Sequence, residues 1–197
     1  MGEMIKMVVV LTILSVISGG GLKGLQEYTK PLIEKQELEL VKGPAIRKVL
    51  EGASNNPVES RFKIKDGDSE RTIFVGAFDG KPNTVVFEVQ GTGFADKFGL
   101  LVAVNVESNK LVGVSVTTHK ETPGLGGEAK DNPAFAAQFK GKSIQSAFKV
   151  TNDGGEISAI SGATITSRAV CKATNQAIAK YEELKPKLLE KMKSAVK

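Results

Sequence analysis

Four hydroxyl side chains cluster in the segment 161–167, which reads Ser-Gly-Ala-Thr-Ile-Thr-Ser. A long helical pattern follows this segment, and the start of a helix presents unpaired backbone N–H groups and the positive end of the helix dipole. Such a start favours a phosphate group. The hydroxyl of Thr164 could bond to a phosphate or become linked to it as an ester, because Gly162 and Ala163 leave space before it.

The amides of Ile165, Thr166 and Ser167 lie where the new helix is expected to begin, so we expect them to surround a phosphate held there. Residue chemistry alone leaves a second interpretation open. Ser and Thr are also typical of the residues that cap helices, so the segment could begin a helix and bind nothing.

A glycine-dense loop at 119–127, which reads His-Lys-Glu-Thr-Pro-Gly-Leu-Gly-Gly, is the second stretch suited to binding. Pro123 stiffens the loop, and its glycines allow the backbone to approach a flat ring. The side chains of Glu121 and Thr122 could bond the carbonyl and N–H groups of such a ring. The alternative is a tight surface turn in which His119 merely ends a strand.

The elements around these two stretches predict how they are positioned. From Phe62 to Thr118 the chain has short runs of β-branched and aromatic residues with turn residues between them. The clearest hairpin joins 100–107 to 110–118, so we predict a mainly antiparallel sheet. An amphipathic helix begins at about Thr166, and Pro186 is expected to end or kink it.

The N-terminal part contains an uncharged run from Met7 to Leu22. A membrane-spanning helix needs about 20 residues, and the run reaches that length if Lys6 and Lys23 extend to the two interfaces. We favour an uncleaved signal anchor because no Ala-x-Ala sequence follows the run; a cleaved signal peptide is the alternative. The flanking charges do not settle the orientation.

These patterns divide the chain into a transmembrane anchor at 1–25, a connecting helical segment at 26–60 and one domain at 61–197. In the connecting segment, Pro31 and Pro44 are expected to bound two helical pieces. The fold class is therefore α+β: a single N-terminal transmembrane helix, then a mainly antiparallel sheet flanked by helices.

Composition argues against several classes of function. The net charge is +5, but the basic residues lack interleaved aromatic residues, so we expect no nucleic-acid binding. With one His and one Cys, few metal or nucleophilic sites are possible, and we predict neither a metal site nor a catalytic residue. No Gly-x-Gly-x-x-Gly follows a strand, which argues against a dinucleotide-binding unit. Cys171 is expected to be a packing residue.

Taken together, the segment 161–167 and the loop 119–126 resemble the FMN-binding domain family shared by the G subunit of the Rnf complex and the C subunit of the sodium-pumping NADH:quinone reductase. The likeness continues through 91–94 and 135–142. With the N-terminal anchor it covers nearly the whole chain, and the short length fits the Rnf G subunit better.

The resemblance implies that Thr164 carries FMN as a phosphoester, installed from FAD by a separate flavin transferase. It places Glu121, Thr122, Leu125 and Gly126 in the loop that lies against the isoalloxazine ring. The remaining cofactor-binding positions are those around Thr164: Ser161, Gly162, Ala163, Ile165, Thr166 and Ser167.

The resemblance also implies a location and partners. The domain would lie on the outer (periplasmic or extracellular) face of the cytoplasmic membrane, held by one helix. It would pass single electrons between neighbouring subunits of a complex that couples ferredoxin and NAD chemistry to ion transport. The chain would thus be an electron-relay subunit and not a complete enzyme.

One position departs from the family pattern, because Ser158 occupies a site that is usually acidic. Glu156 could substitute for that carboxylate. Two other functions remain as alternatives: the C subunit of the quinone reductase, and a non-redox anchored module that binds phosphorylated ligands noncovalently.

Overall fold

The computed structural model describes residues 2–67 and 69–195, and its contacts divide the chain into two units, Met1–Leu40 and Val41–Lys197. The first unit consists mainly of α1 (Gly2–Glu37), and one π-helical turn (Leu38–Lys42) follows it. By length and composition α1 is suited to crossing a membrane, although an N-terminal signal sequence would pass the same test. The predicted helix boundary at Pro31 is wrong, because α1 continues through it.

The described part of the second unit is built on a five-stranded antiparallel sheet in which every strand pairs with its neighbours in sequence. The predicted α+β class with a mainly antiparallel sheet is therefore confirmed. The strands are β1 (Arg61–Asp66), β2 (Ser69–Phe78), β3 (Lys81–Thr92), β4 (Lys97–Asn105) and β5 (Lys110–Val116).

Both faces of this sheet are buried. In β4, Leu100, Val102 and Val104 belong to the core that also contains α5 (Thr164–Ala195). The intervening Leu101 and Ala103 are also fully buried, on the opposite face. That face is covered by α2 (Gly43–Val49) and by Leu50, which contacts Gly76 of β2. A sheet covered on both sides explains why β4 is continuously apolar.

Helix α5 begins at Thr164, two residues earlier than predicted, and runs through Pro186 to Ala195. Of the two outcomes expected at Pro186, an end or a kink, the end is wrong, because the helix continues past it. A proline inside a helix costs about 3 kcal/mol. Beyond it, Leu188 and Met192 are buried in the core, and each contributes roughly 2 kcal/mol of apolar burial. Packing therefore outweighs the local penalty.

Short elements connect β5 to α5. The loop 119–127 is followed by α3 (Glu128–Asp131) and α4 (Pro133–Ala137). Further along, Val150 and Ile157 form one parallel bridge. From Ile157 the chain returns to the start of α5, so the loop 119–127 and the segment 161–167 meet at one end of the helix.

Candidate functional site

The chain enters α5 through Gly162, whose φ of 74° lies in the left-handed region. A Cβ on this glycine would lie 2.9 Å from Cδ2 of Leu125. The glycine is therefore required by its backbone conformation and by its close contact with the loop. This contact brings the two stretches singled out in the sequence together.

Thr164 is the first residue of α5, and several hydrogen-bonding groups around it have no partner among the described residues. Its half-buried hydroxyl makes no hydrogen bond to any described residue, and the same holds for the N–H groups of Thr164, Ile165 and Thr166. The N–H of Ser167 donates to the carbonyl of Ala163 at 3.0 Å. The amides available to a phosphate thus lie one residue earlier than the three predicted, because the first helical hydrogen bond occupies that of Ser167.

The four hydroxyls of the segment 161–167 have different surroundings. Ser167 is fully buried; its hydroxyl donates to the carbonyl of Ala163 and accepts from the N–H of Ile160, both at 3.0 Å. Thr166 is buried as well. Ser161 is exposed and Thr164 is half-buried. Ser167 therefore satisfies backbone groups at the start of the helix, as a capping residue does, while Thr164 remains accessible.

The buried hydroxyl of Thr166 donates to Oε2 of Glu121 at 2.9 Å. The other carboxylate oxygen, Oε1, accepts the N–H of Ala95 at 3.1 Å. Gly93 and Gly126 pack against the same carboxylate, and a Cβ on either would overlap one of its oxygens. Glu121 thus lies inside the protein and joins three segments.

The loop residues predicted to contact a ring divide into two groups. Glu121 and Gly126 are buried, whereas Thr122 and Leu125 are exposed, and Leu125 contacts Gly162 of the segment 161–167. His119 begins the loop, and its Nδ1 accepts the N–H of Glu121 at 3.2 Å. All the predicted site positions are therefore at one end of α5, but only some of them are exposed there.

The turn 93–96 overlaps the stretch 91–94 of the family likeness but was not among the predicted binding positions, although Ala95 in this turn bonds to Glu121. It is closed by the N–H of Gly93, which donates to the carbonyl of Asp96 at 2.9 Å. Lys120 pairs with Asp96 at 2.7 Å, and this hydrogen bond lowers the pKa of the Asp96 carboxyl. Phe94 in this turn is 72% exposed. The Gly91-Thr92-Gly93 sequence was the available signal.

Charged side chains near the start of α5 are already paired. Arg168 forms two hydrogen bonds of 2.7 Å with Asp153, which lower the pKa of the Asp153 carboxyl. Glu156 pairs with Lys142, and this bond lowers the pKa of the Glu156 carboxyl. Glu156, the suggested substitute for a carboxylate at position 158, is thus engaged elsewhere. Among the described residues no His, Cys, Asp or Glu cluster could hold a metal ion.

Residues 93–179 match the family model of the FMN-binding domain. The match begins at the turn 93–96, includes the loop 119–127 and extends into α5. An FMN-binding domain is therefore present in this part of the chain. The resemblance predicted from the two motifs is confirmed, and FMN is the ligand class that the family description names.

Relatives of known name match this chain over both its N-terminal part and the FMN-binding domain. The G subunit of the ion-translocating oxidoreductase complex of Pseudomonas aeruginosa is 29% identical, over 95% of this chain and 92% of its own length. The G subunit of the proton-translocating ferredoxin:NAD(+) oxidoreductase complex of Clostridium ljungdahlii is also 29% identical, over 85% of this chain and 86% of its own.

A solved structure shares the fold. The crystal structure of the C subunit of the Na(+)-translocating NADH-quinone reductase from Parabacteroides distasonis superposes with a TM-score of 0.57 at 23% identity. The likeness covers 76% of this chain and 94% of that one. It supports the architecture of the FMN-binding domain.

Proposed function

We propose that this chain carries FMN covalently on Thr164 and transfers electrons as a membrane-anchored subunit of an ion-translocating ferredoxin:NAD oxidoreductase complex. One observation carries the proposal. Within an FMN-binding domain, the hydroxyl of Thr164 and three neighbouring amides lie at the positive end of α5 without a hydrogen bond to any described residue.

The residues at this helix start fit a phosphate ester. The free amides of Thr164, Ile165 and Thr166 supply donors, and the half-buried Thr164 hydroxyl is accessible to a modifying enzyme. In the attachment reaction, Oγ of Thr164 bonds to the phosphorus on the flavin side of FAD. The pyrophosphate P–O bond breaks, AMP leaves, and the hydroxyl proton passes to a base of the flavin transferase.

The exposed side chains of the loop are placed to receive a flat ring. Leu125 contacts Gly162 and is 45% exposed, and Thr122 lies near it on the outer side of the loop. An attached flavin supplies one-electron redox chemistry. The domain holds the cofactor near its surface, which suits short-range transfer to a neighbouring subunit.

The anchor and the partners are part of the same proposal. Helix α1 has 36 residues and is about 54 Å long, whereas a bilayer core is about 30 Å thick. It is long enough to cross once and extend beyond the membrane. We assign 1–25 to the anchor, 26–60 to the connection and 61–197 to the domain, which lies on the outer face. The partners are the other subunits of an Rnf-type complex and a flavin transferase.

The mass of the peptide that contains Thr164 tests this proposal. The full chain is co-expressed with an FAD-dependent flavin transferase, and we expect an FMN adduct and a fluorescent band after denaturing electrophoresis. Thr164→Ala removes both, whereas Thr151→Ala, which removes an exposed hydroxyl outside the site, keeps both. A dark wild-type band would overturn covalent attachment and favour a noncovalent phosphoryl-binding module.

A further inference from the structure

We propose that Glu121 is a positioning residue that fixes Thr164 from inside the protein and does not touch the flavin ring. The inference rests on the proposed attachment of FMN to Thr164, and it changes the role that the family resemblance gives to Glu121.

The carboxylate of Glu121 joins three separate parts of the chain. Oε1 accepts the N–H of Ala95 in the turn 93–96, and Oε2 accepts the hydroxyl of Thr166 in the first turn of α5. Glu121 itself belongs to the loop after β5, where its own N–H donates to His119. The side chain therefore holds the turn, the loop and the helix start in one arrangement.

The carboxylate is also enclosed. Glu121 is 7% exposed, and Gly93 and Gly126 pack against opposite oxygens. A Cβ on Gly126 would also lie 2.9 Å from Oγ1 of Thr166. Each oxygen accepts from an internal donor and is covered by a glycine, so a ring could reach the carboxylate only if this enclosure opened. Such partners are needed, because burying a carboxylate without them is strongly unfavourable.

The position of Thr164 depends on this arrangement, because its own hydroxyl makes no hydrogen bond within the described residues. Thr166, two residues later, is held by Glu121. Before Thr164, Gly162 packs against Leu125. Leu125 is next to Gly126, whose backbone covers the Glu121 carboxylate. Glu121 therefore fixes the chain both before and after Thr164.

Attachment of FMN requires the Thr164 oxygen to meet phosphorus in a defined geometry, and a displacement of about 1 Å can cost roughly 100-fold in rate. Glu121→Ala leaves the Ala95 amide and the Thr166 hydroxyl without their acceptor. We expect attachment to slow by roughly tenfold or more. Glu121→Gln retains the shape: its amide oxygen accepts from Ala95 and its NH₂ donates to the Thr166 hydroxyl. We expect it to stay within about threefold of wild type.

The experiment measures the rate of FMN attachment to the full chain in detergent, with FAD and the flavin transferase, at a temperature where every variant is folded. Ile73→Ala serves as a control for lost stability, since it truncates a core residue of β2, a strand that contributes nothing to the site. We expect Glu121→Ala to be slow and Ile73→Ala to match wild type. Equal rates for the two variants would overturn the positioning role.

The midpoint potential of the attached flavin distinguishes positioning from ring contact. Removing a negative charge that touches the ring makes the flavin easier to reduce, so a contacting Glu121 predicts a higher potential in Glu121→Gln. We expect no change. A shifted potential in this variant would contradict the inference even if attachment were normal.

Hydrogen exchange of the FMN-free chain tests the same arrangement without the cofactor. We expect the hydrogen-bonded amides of Gly93, Ala95 and Ser167 to exchange faster in Glu121→Ala than in wild type, and Glu121→Gln to behave like wild type. Unchanged exchange in Glu121→Ala would refute the proposal that Glu121 holds the turn 93–96 and the start of α5 in place. If wild type never acquires FMN, the proposed function fails while this measurement still decides the role of Glu121.

Discussion

Thr166 donates a hydrogen bond of 2.9 Å to the carboxylate of Glu121, a residue 45 positions earlier in the chain. Both side chains are buried. The bond ties the loop that leaves β5 to the first turn of α5, so that neither can move without the other. Thr164 lies between Gly162, which packs on the loop, and Thr166, which bonds to it.

Gly162→Ala should destabilise the protein and slow FMN attachment. The new Cβ meets a left-handed backbone and lies 2.9 Å from Leu125, so we expect a loss of about 1–2 kcal/mol in unfolding free energy. Urea unfolding and the attachment rate check this. Gly154→Ala is the matched control, since Gly154 has a φ of 77° and open space around it. It should lose similar stability but attach FMN normally; slow attachment in both variants would contradict the expected effect of the Leu125 contact.

Tyr181→Phe should stabilise the protein. The Tyr181 hydroxyl is buried and has no hydrogen-bond partner among the described residues, and such a group costs about 1–3 kcal/mol. The ring contact with Lys185, at 5.5 Å from its ammonium nitrogen to the ring centroid, survives the change. We expect unfolding free energy to rise by about 1 kcal/mol. A loss of stability would show that the hydroxyl has a partner.

The same substitution should alter stability at high pH. Burial raises the pKa of Tyr181 from 10.0 to about 12, so the unfolded chain loses this proton first as the pH rises. Wild type therefore loses stability between about pH 10 and 12. Tyr181→Phe lacks this component, and the gap between the two unfolding curves should widen over that interval.

Asp66→Asn should weaken the link between the β1–β2 hairpin and α5. The 10% exposed Asp66 side chain accepts from Lys180 at 2.9 Å and from Arg71 at 2.8 Å. The hydrogen bond from Lys180, followed by that from Arg71, lowers the pKa of the Asp66 carboxyl. We expect a loss of roughly 1–3 kcal/mol at pH 7.

The pH dependence of that loss follows from the lowered pKa. The stabilisation is complete above the ordinary carboxyl range and disappears as pH falls through the folded-state pKa. Wild type and Asp66→Asn should therefore converge in strong acid. Glu70→Gln is the control, because Glu70 pairs with Lys63 on an exposed surface and should change stability by less than about 1 kcal/mol.

Cys171 should be unreactive in the folded protein. It is 2% exposed, and burial, together with the charge of Asp153, raises the pKa of its thiol from 9.0 to about 11. At pH 8 we expect a thiol reagent to react roughly 100-fold more slowly with the folded chain than with the unfolded chain. The chain has one cysteine, so the signal is unambiguous. Rapid labelling of the folded protein would contradict the buried placement.

Local sequence patterns were sufficient to predict the sheet. The runs at 100–107 and 110–118 form β4 and β5, and the fold class is confirmed. The two motifs also predicted the family, because each has a distinctive order of glycine and hydroxyl residues. Prolines were less informative, because Pro31 and Pro186 both lie inside helices. At Pro186, the burial of side chains further along α5 outweighs the free-energy cost of a proline inside the helix.

The direction of individual side chains could not be read from the sequence. Nothing near Glu121 indicates that its carboxylate turns inward, because its partners, Ala95 and Thr166, lie 26 and 45 residues away. Likewise, Ser167 and Thr164 are both hydroxyl residues of one motif. Only the helix geometry separates the buried Ser167 from the accessible Thr164.

Helix α5 has 32 residues, and its buried positions extend from its first turn to Met192. A cofactor esterified to the first residue of this helix would be mounted on the core and not on a mobile loop. The attachment atom would then keep a fixed position relative to the domain. Between it and the ring, only the ribityl phosphate of the cofactor could move independently, so a longer displacement of the ring would require the whole domain to move.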